Sequence, residues 1–276
     1  GYTFNHWEIG NEVYAAMWGG GKAYPDADVY VDHLKAVSKA IKDVQPTARI
    51  GASLRHDHMT WGSYVLAKAA GSYDFVCPHL YALDGASKSF EELTLTQNYR
   101  ILDEAARLNA LVAHYNPGKH VPILDTEWAQ HMMGPNDTPA DLQPKNANII
   151  GVMHRAVRMI YYVREPLVEG ASAWGLIGRS SEPGFPAIYV DAPEKRSLFF
   201  WLYHHFGQHV GDEVLSMTGT VPFFKETGPQ APLVATRSAD GNTVFVIVAN
   251  ASWNDSVPIT IRLNGFSAPK VRAIAL

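Results

Sequence analysis

Short apolar runs alternate with amphipathic stretches over the first three-quarters of the chain, and this order limits the fold more than any other feature. "FNHWEIGNE", "ARIGASL", "YDFVCPHLY", "HVPILDTEWA" and "GASAWGLIG" read as strands, each apolar over most of its length. Each is followed by a helical pattern. In "DADVYVDHLKAVSKAIKDVQP", Val31, Leu34, Val37, Ile41 and Val44 recur at helical spacing, Asp28 stands where a cap belongs, and Pro46 lies beyond the end. "WGSYVLAKAAG", closed by Gly71, the stretch from about Phe90 to His114, "NANIIGVMHRAVRMIYYVRE" and "EKRSLFFWLYHHFGQ" supply the others. Strict strand-helix alternation predicts parallel strands joined by helical crossovers. Strands this apolar are covered on both faces. An α/β fold follows, either an open doubly wound sheet or a (β/α)8 TIM barrel. The doubly wound fold usually carries a phosphate-binding glycine loop. "WGGGK" follows Met17 and lacks that spacing, so it reads as a flexible surface loop.

After Gln208 the period changes. "DEVLSMTGTVPFF", "PLVATRSADGNTVFVIVANAS" and "VPITIRLNGF" alternate apolar with polar residues and break at Asp-Gly, Asn-Asp and Asn-Gly. That pattern predicts an antiparallel β-sandwich over residues 210–276, with residues 1–209 forming the α/β domain. Asp240-Gly241 marks the turn of one hairpin.

Charge and composition exclude some partners. The formal net charge is -4, which argues against nucleic acid or an anionic membrane surface as the main partner. No apolar run approaches the roughly 18 residues of a membrane span. The single cysteine, Cys77, cannot form an internal disulfide.

Chemistry points to two glutamates. In a parallel α/β barrel the reacting groups sit at the C-terminal ends of strands. Glu12 and Glu127 each follow an apolar run at such an end, with Trp7 and Trp128 close by in sequence. Barrel closure would turn both ends toward one pocket. Paired carboxylates there suit glycoside hydrolysis, one giving a proton to the leaving oxygen and the other attacking the anomeric carbon or activating water.

These segments bear a specific resemblance. "WEIGNE" resembles the acid/base strand of clan A glycoside hydrolases, and "DTEW" resembles their nucleophile strand. "CPHLY" is similar to the sixth barrel strand and "ASAWGL" to the eighth. With the trailing β-sandwich, the chain looks most like the α-L-arabinofuranosidases of family fifty-one. β-Agarases, β-xylosidases and endoglucanases of the clan share the two-glutamate pattern. The resemblance implies that Glu12 is the acid/base and Glu127 the nucleophile of a retaining, double-displacement mechanism that needs no metal or other cofactor. It implies a substrate-binding set of Asn11 on the sugar 2-hydroxyl, His79 and Tyr81 beside Glu127, Trp128, and Trp174 stacked on the sugar. The expected substrate is an oligo- or polysaccharide of plant or algal origin. The resemblance also makes "FNHWEIGNE" strand four of eight. The missing N-terminal barrel segment is then expected from the same parent protein or another chain. A rival of another class is a glycan-binding remnant without activity, but a binding module needs neither an acid nor a nucleophile.

Other residues carry weaker signals. His56 and His58 flank Asp57 at a strand end, where polar loop residues beside a sugar pocket are a simpler reading than metal ligands. Trp61 either stacks on substrate or caps its helix. His204 and His205 lie on the last helix and read as packing residues. Glu8 and Asp125 read as structural hydrogen-bonding groups, and Cys77 as a small buried hydrophobe.

Overall fold

The computed structural model describes residues 4–14, 24–54, 59–83, 89–131, 146–180, 186–224 and 228–276. Strands β1 (His6–Ile9), β2 (Arg49–Ser53), β3 (Phe75–Cys77), β4 (Leu124–Trp128) and β5 (Gly170–Ala173) alternate with helices α1 (Ala27–Val44), α2 (Met59–Lys68), α3 (Gln97–Tyr115), α4 (Ile149–Arg164) and α5 (Leu198–Gln208). A five-residue π-helical stretch, Glu92–Thr96, leads into α3. All five strands run parallel. His6 pairs with Arg49 and Gly51 with Phe75, a bridge from Val76 to Ile123 joins β3 to the β4 side, and Leu124 pairs with Gly170. Each strand thus neighbours the next one in sequence. That is the order of a barrel wall; a doubly wound sheet reverses its order at a switch point. Among the described residues the wall is an arc and does not close, since the outer edges of β1 and β5 pair with no strand.

The chain divides into two compact units. The first holds the five-strand arc with α1, α2 and α3 from Arg100 onward. Its core is the apolar lining of the arc and helices, with Leu34, Ile50, Ala52, Leu54, Val76 and Ile123 buried. The cap of α1 differs from the expectation. Asp26, not Asp28, accepts the Val29 N–H at 2.9 Å, because Asp26 has the extended backbone a cap requires. Asp28 lies inside the first turn and accepts from the Tyr64 hydroxyl. Tyr30, fully buried, ties two strand ends together: its hydroxyl donates to the Ile9 carbonyl at 2.9 Å and accepts from the Ser53 N–H at 2.8 Å.

The second unit contains α4, α5 and an antiparallel sheet of β6 (Glu213–Val214), β7 (Leu233–Arg237) and β8 (Val244–Val248), with β7 central. The hairpin expected at Asp240-Gly241 is present: Arg237 pairs with Val244, Gly241 has φ +74, and the Asp240 carboxylate accepts from the Asn242 N–H at 3.0 Å. "VPITIRLNGF" is a correction, because residues 257–266 form no strand. Alternation alone does not make a strand. A neighbour must supply ladder hydrogen bonds, and among the described residues none lies against this segment. One three-stranded sheet and the two-residue pair Phe223–Phe224 with Gly228–Pro229 therefore stand where a full sandwich was expected.

Replacing Tyr30 by Phe leaves the Ile9 carbonyl and Ser53 N–H buried without their partner. The expected loss is about 1 to 3 kcal/mol for each orphaned group. Urea denaturation should show a lower midpoint with an unchanged m-value.

Candidate active site

The site is built where the chain leaves β1, β3 and β4. After β1 the backbone turns sharply at Gly10, whose φ is +82. A Cβ there would stand 2.4 Å from Val13 Cγ1, so the turn excludes a side chain for steric as well as conformational reasons. Asn11 follows, exposed, and then Glu12. After β3 the chain makes a tight turn in which the Tyr81 N–H donates to the His79 carbonyl at 3.0 Å. The Leu80 N–H in that turn donates to Asp125 Oδ1 at 2.9 Å, so the buried Asp125 has the structural role expected of it.

Glu12 and His79 share an unusual backbone. Among the described residues they are the only non-glycines at positive φ, +45 and +50. Left-handed geometry costs an ordinary side chain of order 1 kcal/mol or more and persists only where its surroundings impose it. Such residues cluster at functional sites, and here both belong to one cluster.

The side chains converge. Tyr81 donates its hydroxyl hydrogen to Glu127 Oε1 at 2.6 Å. His79 Nδ1 lies 3.2 Å from Glu12 Oε1 and 3.7 Å from Glu127 Oε2. One carboxylate oxygen from each glutamate and a ring nitrogen of His79 all lie within 4.8 Å of one another. On the other side of the ring, His79 Nε2 is 3.3 Å from Glu8 Oε1. That oxygen is buried and makes no aligned hydrogen bond, so the contact is one of charge with charge. Burial pulls the His79 pKa down, but the hydrogen bond to Glu12 and the charges of Glu8 and Glu127 outweigh it and raise it to about 10. His79 is an imidazolium at neutral pH.

Sequence expectations divide at this point. Glu12, His79, Tyr81 and Glu127 meet, and Trp174 stands beside them, 38% exposed, its ring edge-on to Tyr81 at 6.4 Å. The Trp174 N–H donates to the Trp128 carbonyl at 2.9 Å, which fixes the chain after β5 against the end of β4. Asn11 adjoins Glu12 in the turn. Trp128 is only 2% exposed, its ring in the core. Trp61 stacks on Tyr30 at 5.7 Å and His204 stacks on Phe200, both packing contacts. His56, Asp57 and His58 lie outside the described residues, as does "WGGGK". Glu8 is the group whose place beside His79 the sequence did not signal. Glu12, His79 and Glu127 could offer three ligand atoms to a metal, which would have to displace the proton that His79 carries.

No family model and no curated protein matches the chain. Solved structures do. The arabinose complex of α-L-arabinofuranosidase from Thermotoga maritima superposes with a TM-score of 0.72 at 19% identity, over 88% of this chain and 51% of that one. A family 51 α-L-arabinofuranosidase from Thermotoga petrophila gives 0.69 at 20% identity, over 88% and 51%. One from Bifidobacterium longum gives 0.66 at 17%, over 90% and 54%. The likeness shows the fold. The chain spans about half the length of the structures it matches.

The His79 charge has a stability consequence. Its folded pKa, about 10, lies above the ordinary 6.5, so its contribution is fully present below about pH 6.5 and is lost as pH rises through about 10. Unfolding free energy should fall over that window. His79→Gln should flatten the fall, as measured by denaturation at a series of pH values.

Proposed function

We propose that this chain carries the acid/base and the nucleophile of a retaining glycoside hydrolase that removes α-L-arabinofuranosyl groups from plant or algal oligo- and polysaccharides. One observation carries the reading: two carboxylates from separate strand ends stand with oxygens within 4.8 Å of one another around one imidazole. Retaining enzymes hold their carboxyl groups about 5 to 5.5 Å apart, inverting ones about 6.5 to 9.5 Å to admit a water. The sugar preference rests on the fold shared with α-L-arabinofuranosidases.

The chemistry follows from the geometry. Tyr81 holds Glu127 Oε1, which leaves Oε2 to attack the anomeric carbon. As that bond forms, the bond to the leaving oxygen breaks and Glu12 gives that oxygen its proton. The product is a glycosyl ester on Glu127. Glu12, now a carboxylate, takes a proton from the incoming water, which displaces Glu127 with net retention. Asn11 is positioned by sequence to hold the 2-hydroxyl, and the exposed face of Trp174 offers an apolar surface to the sugar ring.

The reading includes a partner for the arc. Ala171 and Ser172 of β5 are exposed, as are His6 and Trp7 of β1. Open edges of this kind invite further strands. The proposed partner is a barrel segment from the same parent protein or from a second chain, completing the wall and the sugar site. Native mass spectrometry of the active species tests this: turnover by a monomer of residues 1–276 alone would overturn it.

Glu127→Ala should abolish turnover of every arabinofuranoside. Glu12→Ala should lower kcat by about 10²- to 10⁴-fold where the leaving group needs a proton. It should spare the first step on dinitrophenyl arabinofuranoside, and azide should restore turnover by attacking the ester without help from a base. Identical behaviour of the two variants, with neither rescued, would reverse or remove the assigned roles.

A further inference from the structure

Glu8 has no part in the double displacement, yet it is aimed at the site. It stands four residues before Glu12, on β1, opposite Gly51 of β2, which in turn stands opposite Phe75 of β3. A Cβ on Gly51 would lie 2.3 Å from the Phe75 ring and 3.0 Å from Cys77 Sγ. The Phe75 ring and the Cys77 sulfur fill the space over Gly51. The Glu8 carboxylate comes from β1 and reaches His79 Nε2 at 3.3 Å. The Cys77 thiol itself stays protonated: burial first, then the Glu8 charge, push its pKa well up.

The other groups around the imidazole are already engaged. Glu12 comes from the β1 side, Tyr81 and Cys77 from β3 and its turn, and Asp125 and Glu127 from β4. Glu12 and Glu127 change charge during turnover, one by proton transfer and the other by ester formation. Glu8 does not react, and is the fixed negative charge on the far side of the ring.

We propose that Glu8 is a positioning residue for this reaction, whose carboxylate reaches His79 Nε2 from β1 and holds the ring, with its positive charge, between Glu12 and Glu127. The proposal rests on the glycosidase reading above. Its consequence is that the imidazolium stays in place while the negative charge passes from Glu127 to Glu12 in the first step and back in the second. Removing the Glu8 charge lowers the pH at which the coupled cluster gives up a proton. Glycosylation that depends on that proton then fails at lower pH.

The test compares the active wild-type protein with Glu8→Gln, which keeps the shape, and Glu8→Asp, which keeps the charge. Two readouts are taken: the titration of the ¹⁵N-labelled His79 ring by NMR, and the pH profile of kcat/KM. In Glu8→Gln the ring should titrate at lower pH, and the alkaline limb should move down by about 1 unit on an arabinofuranoside with a poor leaving group. On dinitrophenyl arabinofuranoside, whose departure needs no proton, the limb should stay in place. Glu8→Asp should restore most of the wild-type profile. An unmoved His79 titration in Glu8→Gln overturns the proposal. So does a moved titration with the limb unmoved, or with the limb moved equally on both substrates, since Glu8 would then be structural only. A wild-type protein that cleaves no glycoside would retire the glycosidase reading, and the histidine titration would still decide whether Glu8 holds the His79 charge.

Discussion

The hydrogen bond from the Leu80 N–H to the buried Asp125 carboxylate holds the site together. It joins the turn after β3 to β4 between the Val76–Ile123 bridge and the pairing of Ala82 with Gln130. Without it, a buried N–H would be orphaned and the left-handed backbone of His79 would have little to hold it. The same bond determines the direction of two functional side chains. His79 precedes Leu80 and Tyr81 follows it, so fixing the peptide between them sets one ring toward Glu12 and the other hydroxyl toward Glu127. The bond's acceptor lies two residues before Glu127 on the same strand, so Glu127 and the turn move as one body.

Around that turn the balance of charge decides protonation. Moving an imidazolium out of water costs several kcal/mol. A unit charge pair near 4 Å is worth about 4 kcal/mol at an effective dielectric near 20. His79 faces three carboxylates at 3.2 to 3.7 Å, so attraction wins over burial and the ring is charged.

The scaffold makes such an arrangement possible by small omissions as much as by contacts. Gly10 allows the turn that brings Glu12 to the end of β1, and Gly51 leaves room for the Phe75 ring and the Cys77 sulfur from β3. Tyr30 clamps the ends of β1 and β2, so the strand carrying Glu8 cannot slide against its neighbour. Register and site are thereby one problem: a shift of one residue would turn Glu8 away from His79 and leave the Ile9 carbonyl unpaired.

By itself the sequence determined the parallel strands, their helices and the hairpin at Asp240-Gly241, because hydrophobic period and turn chemistry are local properties. It also pointed to Glu12 and Glu127 as carboxylates at the ends of apolar strands, and the resemblance of "CPHLY" and "ASAWGL" to clan A barrel strands added His79, Tyr81 and Trp174. Only the tertiary structure decided what was not local. Asp26 rather than Asp28 caps α1 because its backbone is extended there. Trp128 is buried although it adjoins Glu127, because successive side chains on a strand leave opposite faces. "VPITIRLNGF" has strand periodicity but no neighbour to pair with among the described residues. Glu8 looked like any polar residue within a strand until His79, about seventy residues away in sequence, proved to lie 3.3 Å from its carboxylate. Periodicity is written into consecutive residues, whereas charge contacts between strands depend on which side chains the register sets next to one another.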